Sequence, residues 1–218
     1  MSADYRRKVG LFGGTFDPVH KAHVALAEYV LGQVALDSIF FIPAAHPPHK
    51  SHIAASYHHR VAMLELALKH NSALHVSLIE SEYDGPSYTI HTLRQLQQQN
   101  DEQYVLIIGA DSLVDLPNWY HAGELIDSVD FIVVSRQGVD HDTMGETLRL
   151  LDVSYTCDDQ ELYRLGNGRF IHYLDGFHLP VSSSSLRDQL RTDTGVPMLN
   201  QQVLFYIRKH NLYHPRAT

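Results

Sequence analysis

The run Val9-Gly10-Leu11-Phe12-Gly13-Gly14-Thr15-Phe16-Asp17-Pro18-Val19-His20-Lys21-Ala22-His23 decides how this chain folds. Its first four residues read as a short buried strand, and Gly13-Gly14 ends it. Pro18 blocks early helix formation. From His20 to about Val34 the composition turns helical, with Ala25, Leu26, Ala27 and Glu28. The two glycines let a ligand come close to main-chain N–H groups. A helix starting near His20 points its positive end at the same place. His20 and His23 are three apart and share a face of that helix. The segment therefore reads as a phosphate site made of amides, a helix end and two imidazoles.

Working outward, apolar runs alternate with helical segments. Ile39–Ile42 is a second strand, closed by Pro43, and a helix follows from about Ser56 to Lys69 with Val61, Leu64 and Leu68 on one face. Leu74–Val76 reads as a strand and Tyr88–Gln99 as a helix. Tyr104–Ile108, ending at Gly109, and Phe131–Val134 are buried strands. Residues 138–168 show no firm period. A strand at Phe170–Tyr173 precedes helices near Ser184–Arg191 and Gln201–His210. Strands without a polar face, alternating with helices, predict an α/β fold: a Rossmann-like parallel sheet with helices on both faces. Residues 1–218 read as one domain with a helical C-terminal portion from about residue 181. In such sheets ligands bind beyond the carboxyl ends of the strands, so the segments after each apolar run are where chemistry is expected.

Composition narrows the classes. With 17 basic and 25 acidic side chains the net charge is -8, and the basic residues are scattered, so a nucleic-acid partner is not expected. A small anion needs only a local cluster of donors. One cysteine, Cys157, cannot close an internal disulfide. The first residues carry no signal-like apolar core, and no stretch approaches a membrane span, so the reading is cytoplasmic with no membrane partner. Histidines one turn apart suggest zinc, yet no glutamate follows His20 in the zinc-protease pattern and spacing supplies no third ligand, so no protein metal site is expected. A homo-oligomer is left open.

Other segments carry candidate donors. Pro47-Pro48-His49-Lys50 holds cations on a stiff loop and reads as a phosphate contact or as a solvated turn. Ser87-Tyr88-Thr89 either caps a helix or meets a ligand. Asp111, after Gly109, stands where a carboxylate can take a ribose hydroxyl. Trp119, the sole tryptophan, reads equally as a ring-stacking residue and as a core plug. Ser182-Ser183-Ser184-Ser185-Leu186-Arg187 joins hydroxyls, a helix start and an arginine into a second anion site.

Together these motifs, with Ser135-Arg136, Val196-Pro197 and Tyr206-Ile207…Leu212-Tyr213, resemble the bacterial nicotinate-nucleotide adenylyltransferases from residue 9 to about residue 213. The first motif alone resembles the wider nucleotidyltransferase superfamily with its His-x-x-His logic. Ala22 replaces the family's usual glycine, Ser185 its threonine, and Gln137 the proline after Arg136. The resemblance implies transfer of the adenylyl group of ATP to nicotinate mononucleotide, with Mg2+ accompanying ATP. It implies that His20, His23 and Arg187 are catalytic. It gives Gly13, Gly14, Thr15, Phe16, Asp111, Arg136, Ser183, Ser184 and Arg187 to ATP, and His49, Lys50, Ser87, Thr89 and Trp119 to the mononucleotide. Nicotinamide mononucleotide and phosphopantetheine are the alternative acceptors. A dinucleotide-binding oxidoreductase would want Gly-x-Gly-x-x-Gly after the first strand, which Gly13-Gly14-Thr15-Phe16 does not supply.

Overall fold

The computed structural model describes residues 6–50, 52–135, 141–158, 161–192 and 195–213. In chain order the elements are β1 (Lys8–Gly14), α1 (Lys21–Gln33), β2 (Ser38–Pro43), α2 (Tyr57–Leu68), β3 (Leu74–Val76), α3 (Thr89–Gln99), β4 (Gln103–Gly109), α4 (Ala110–Asp115), α5 (Ala122–Ser128), β5 (Asp130–Val134), α6 (His141–Leu150), β6 (Tyr155–Asp158), β7 (Leu162–Leu165), β8 (Phe170–Leu174), α7 (Ser183–Arg191) and α8 (Gln201–Lys209). The strands form a sheet in the order β3-β2-β1-β4-β5-β8-β7-β6. From β3 to β8 all neighbours are parallel, while β7 and β6 add antiparallel at one edge.

Side-chain alternation explains why both faces are covered. Val105 and Ile107 of β4, with Ile132 and Val134 of β5, enter one apolar cluster with α1, α2, α7 and α8. Leu106 and Ile108, with Phe131 and Val133, enter the opposite cluster with α3, α4, α5 and α6. Gly10 faces the first cluster, where a Cβ would stand 2.7 Å from Ile107 Cδ1 and 3.0 Å from Ile39 Cγ1. The glycine is therefore a packing requirement inside the strand.

Beside β1 the winding reverses: β2 and β3 lie on one side, and β4 and β5 on the other. The crevice at such a switch point opens at the carboxyl ends of β1 and β4, where Gly13-Gly14 and Gly109 stand. His20 is the N-cap of α1, where the sequence starts the helix. Other details differ from the sequence reading. The stretch without a clear period holds α6, β6 and β7. On α2 the buried residues are Arg60, Met63, Leu64 and Leu68, so the inward stripe runs through an arginine and Val61 lies only partly covered.

Candidate active site

Main-chain bonds stitch the glycine turn to its surroundings. The Ala44 N–H donates to the Gly14 carbonyl at 2.9 Å, joining the ends of β1 and β2. Phe16 sits at φ 51°, buried, with its ring edge-on to Phe12 and to His23. A Cβ on Gly14 would come within 2.9 Å of that ring, whereas one on Gly13 would meet nothing within 4 Å. Gly14 is thus needed for the fold of the turn, and Gly13 leaves room for a ligand.

The His20 main-chain N–H donates to His23 Nδ1 at 3.2 Å, and the two rings stack with centroids 3.6 Å apart. Because Nδ1 accepts, a neutral His23 carries its proton on Nε2, the tautomer that donates outward. His23 is partly exposed and lines the crevice, while His20 is buried behind it.

The crevice has two connected parts. The inner cavity, about 290 Å3, is bounded by Gly13, Gly14, Phe16, His23, Thr89 and Trp119, among others. The outer part adds Thr15, Pro47, Pro48, His49 and Lys50 and shares Gly14, Ser87, Thr89, Asp111 and Trp119 with the inner one. Asp111 lies exposed in the first turn of α4. Trp119 is half-buried: it packs on the second core cluster and also lines both cavities. Thr89 begins α3 at the crevice, and no side chain caps that helix. Ser87 instead takes the His46 N–H on its hydroxyl at 2.8 Å, pinning the loop that carries Lys50.

The serine run and Arg187, the second candidate anion site, stand against the same turn. Ser182 caps α7, its hydroxyl accepting from the Ser185 N–H at 3.1 Å. The Ser183 hydroxyl donates to the Pro18 carbonyl at 3.0 Å, and Arg187 Nη1 donates to the Asp17 carbonyl at 2.7 Å. Ser184 is exposed. The Lys50 ammonium is held below its ordinary pKa, first by desolvation and then by the Arg187 charge; Asp17 opposes this and Arg60 adds to it. That coupling brings Lys50 and Arg187 into one cationic group, although the sequence reading gives them to different substrates. Arg136 lies outside the described residues.

Three residues without a role in the sequence reading organise this group. Asp17 is buried at the centre of the turn, and Arg60 donates to the Thr15 and Ala44 carbonyls, each at 2.8 Å. Glu80 accepts from the Ala45 N–H at 3.2 Å and from the Thr92 hydroxyl at 2.8 Å, tying the loop after β2 to α3. A signal for Arg60 exists in the sequence: it stands four residues before Leu64 and eight before Leu68, on the apolar stripe of α2.

Among the described residues, no group of three or more His, Cys, Asp or Glu could hold a metal ion, and no helix is long and apolar enough to cross a membrane. Residues 11–189 match the cytidylyltransferase-like family. The chain is 38% identical over 210 residues to a probable nicotinate-nucleotide adenylyltransferase of Gloeobacter violaceus, covering 94% of this chain and 96% of that one. It is 37% identical over 221 residues to one of Lactococcus lactis, covering 99% and 100%. The fold matches the Plasmodium falciparum nicotinic acid mononucleotide adenylyltransferase complexed with NaAD, with a TM-score of 0.72 at 18% identity over 95% of this chain and 97% of that one.

Proposed function

Because this chain belongs to the nicotinate-nucleotide adenylyltransferases of the cytidylyltransferase-like family, we propose that it joins ATP to nicotinate mononucleotide in NAD biosynthesis, releasing pyrophosphate and forming nicotinate adenine dinucleotide. One observation carries this beyond family membership. A single crevice brings the Gly13-Gly14 turn and His23 against Thr89 and Trp119. It therefore offers phosphate donors on one wall and a ring platform on the other.

In this reading Gly13, Gly14, Thr15 and Phe16 border the ATP, and Asp111 takes its ribose. His20, His23, Ser183, Ser184 and Arg187 hold its phosphates, and Arg136 adds to them. Ser87, Thr89 and Trp119 receive the pyridine nucleotide, with His49 and Lys50 near its phosphate. An oxygen of the mononucleotide phosphate bonds to the α-phosphorus of ATP in line, and the bond from that phosphorus to the pyrophosphate oxygen breaks. The attacking phosphate is already anionic, so the chain needs no covalent intermediate and no strong base. Its residues position the two substrates and stabilise charge on the transferring group. Magnesium would accompany the triphosphate and share its charge. Lone, exposed Cys157 accords with a reducing compartment, and we place the reaction in the cytoplasm.

The test is pyrophosphate release from ATP and magnesium with nicotinate mononucleotide, nicotinamide mononucleotide or phosphopantetheine as acceptor. Release with the nicotinate acceptor at the highest kcat/KM is expected. No release with any of the three would overturn the reading.

A further inference from the structure

Asp17 has no part in the reaction itself, yet the residue is only 4% exposed and its carboxylate is met by three donors. Oδ1 accepts from the Ala55 N–H at 3.0 Å and from the Tyr213 hydroxyl at 2.7 Å, and Oδ2 accepts from the Ala54 N–H at 2.7 Å. One side chain thereby joins the turn after β1, the segment before α2 and the residue Tyr213 beyond α8. The main chain of the same residue braces Arg187, whose Nη1 donates to the Asp17 carbonyl. Arg60 adds a second brace to the same turn through the Thr15 carbonyl. Burial and the neighbouring carboxylate keep the Tyr213 phenol well above its ordinary pKa, so it remains a donor across the working range.

A guanidinium holds a triphosphate more tightly when its plane is already set before the nucleotide arrives. Pinning one N–H to a carbonyl sets that plane only as well as the carbonyl is itself fixed. The turn carrying the Asp17 carbonyl also contains Phe16 in the left-handed region, so its shape depends on contacts outside the turn. The Asp17 carboxylate supplies those contacts, and Tyr213 is the one side-chain donor among its three partners.

We propose that Asp17 and Tyr213 are a positioning pair: the Tyr213 hydroxyl fixes the Asp17 carboxylate, and through the Asp17 carbonyl this sets where Arg187 meets the ATP phosphates. The inference rests on the reading of Arg187 as a triphosphate ligand. It assigns the C-terminal end of the chain a part in ATP recognition, although Tyr213 lines neither part of the crevice.

The test is Tyr213→Phe, which removes one oxygen and keeps the ring in the core. ATP affinity is measured by calorimetry, alongside the KM for each substrate. The expected result is an ATP Kd and KM raised about tenfold, with the mononucleotide KM within about twofold of the parent. In an Arg187→Ala background the same change is expected to have no further effect on ATP, because the pair acts through Arg187. Asp17→Asn, which keeps the shape and one acceptor oxygen, is expected to share the ATP-selective defect. Equal losses for both substrates, unchanged ATP affinity with only a lower Tm, or an additive loss in the Arg187→Ala background would each overturn the proposal. A parent enzyme that binds ATP but releases no pyrophosphate would sink the adenylyl-transfer reading alone. One that does not bind ATP would sink both.

Discussion

His23 is held by the backbone in one tautomer, and this limits what it can offer a phosphate. With Nδ1 accepting from the His20 N–H, its remaining ring nitrogen is a donor without needing a second proton. Alanine at His23 removes that donor, and alanine at His20 removes the ring stacked behind it. Each is expected to lower turnover by about 10²–10³-fold, the usual cost of a lost donor to transition-state charge. Steady-state kinetics with a parallel melting curve checks this; near-normal turnover in both variants would remove the pair from the mechanism. Lys50 gives a pH-dependent expectation. Its ammonium titrates below the ordinary 10.5, so it loses its charge earlier than a free lysine as pH rises. The KM for the mononucleotide is then expected to climb on the alkaline side, starting below 10.5, and Lys50→Arg is expected to abolish the climb because guanidinium stays charged. The sign for stability is opposite: the fold disfavours charged Lys50, so that cost is present at low pH and fades as pH rises through the lowered value. A flat KM profile in the parent would contradict the assignment. At this scale the sequence reading reached donors that sit in motifs. Asp17 and Tyr213 stand inside the quoted motifs yet take no role there, because they meet across 196 positions, a relation no local pattern encodes, and Arg60 shows only as a charge on the apolar stripe of α2.

Elements were legible where burial imposed a period. β1, β2, β4 and β5 are covered on both faces and read as apolar runs, whereas β8 alternates buried and half-buried residues with His172 in its middle. β6 could not be read that way, because all four of its residues are exposed at the sheet edge and no burial pattern is written into Tyr155-Thr156-Cys157-Asp158. α4 and α5 are too short for a helical period to declare itself. The start of α1 falls where the sequence places it, with His20 as an N-cap outside the usual set of Ser, Thr, Asp and Asn. Within β1, Gly10 allows a specific expectation. Gly10→Ala would put a methyl group 2.7 Å from Ile107 Cδ1 and 3.0 Å from Ile39 Cγ1, both on fully buried side chains that can shift only within a filled core. Overpacking of this kind costs about 1–3 kcal/mol. At about 2–4 °C per kcal/mol for a chain of this size, Tm is expected to fall by about 2–12 °C. An unchanged Tm would mean that the core on that face is looser than the distances imply.

Across the whole molecule, the crevice opens where β1 and β4 diverge, and its two walls come from different parts of the chain. The glycine turn and His23 supply one wall, while Thr89 of α3 and Trp119 supply the other. The net charge of -8 does not oppose an anionic ligand here, because Lys50, Arg60 and Arg187 are gathered beside the turn. A ligand spanning both walls binds only the folded chain, so it must raise the melting temperature by mass action. At a hundred times its Kd, ATP with magnesium should add about 2.7 kcal/mol of stability, which at about 2–4 °C per kcal/mol is a rise of about 5–11 °C. The same measurement separates the two pyridine acceptors. Nicotinate carries a carboxylate with two acceptor oxygens, suited to the main-chain N–H groups that open the start of α3, whereas the Trp119 N–H is already given to the Leu116 carbonyl. The nicotinamide NH₂ would face those donors with another donor, a mismatch of about 1–3 kcal/mol. At equal concentration, nicotinamide mononucleotide is therefore expected to give a clearly smaller rise than nicotinate mononucleotide. Trp119→Ala should shrink both rises without reversing their order, since a ring platform serves either acceptor. Melting can be followed by circular dichroism in parent and variant alike. An equal or larger rise with the amide would reassign the acceptor while leaving adenylyl transfer intact, whereas no rise with ATP would show that the crevice is not a nucleotide site.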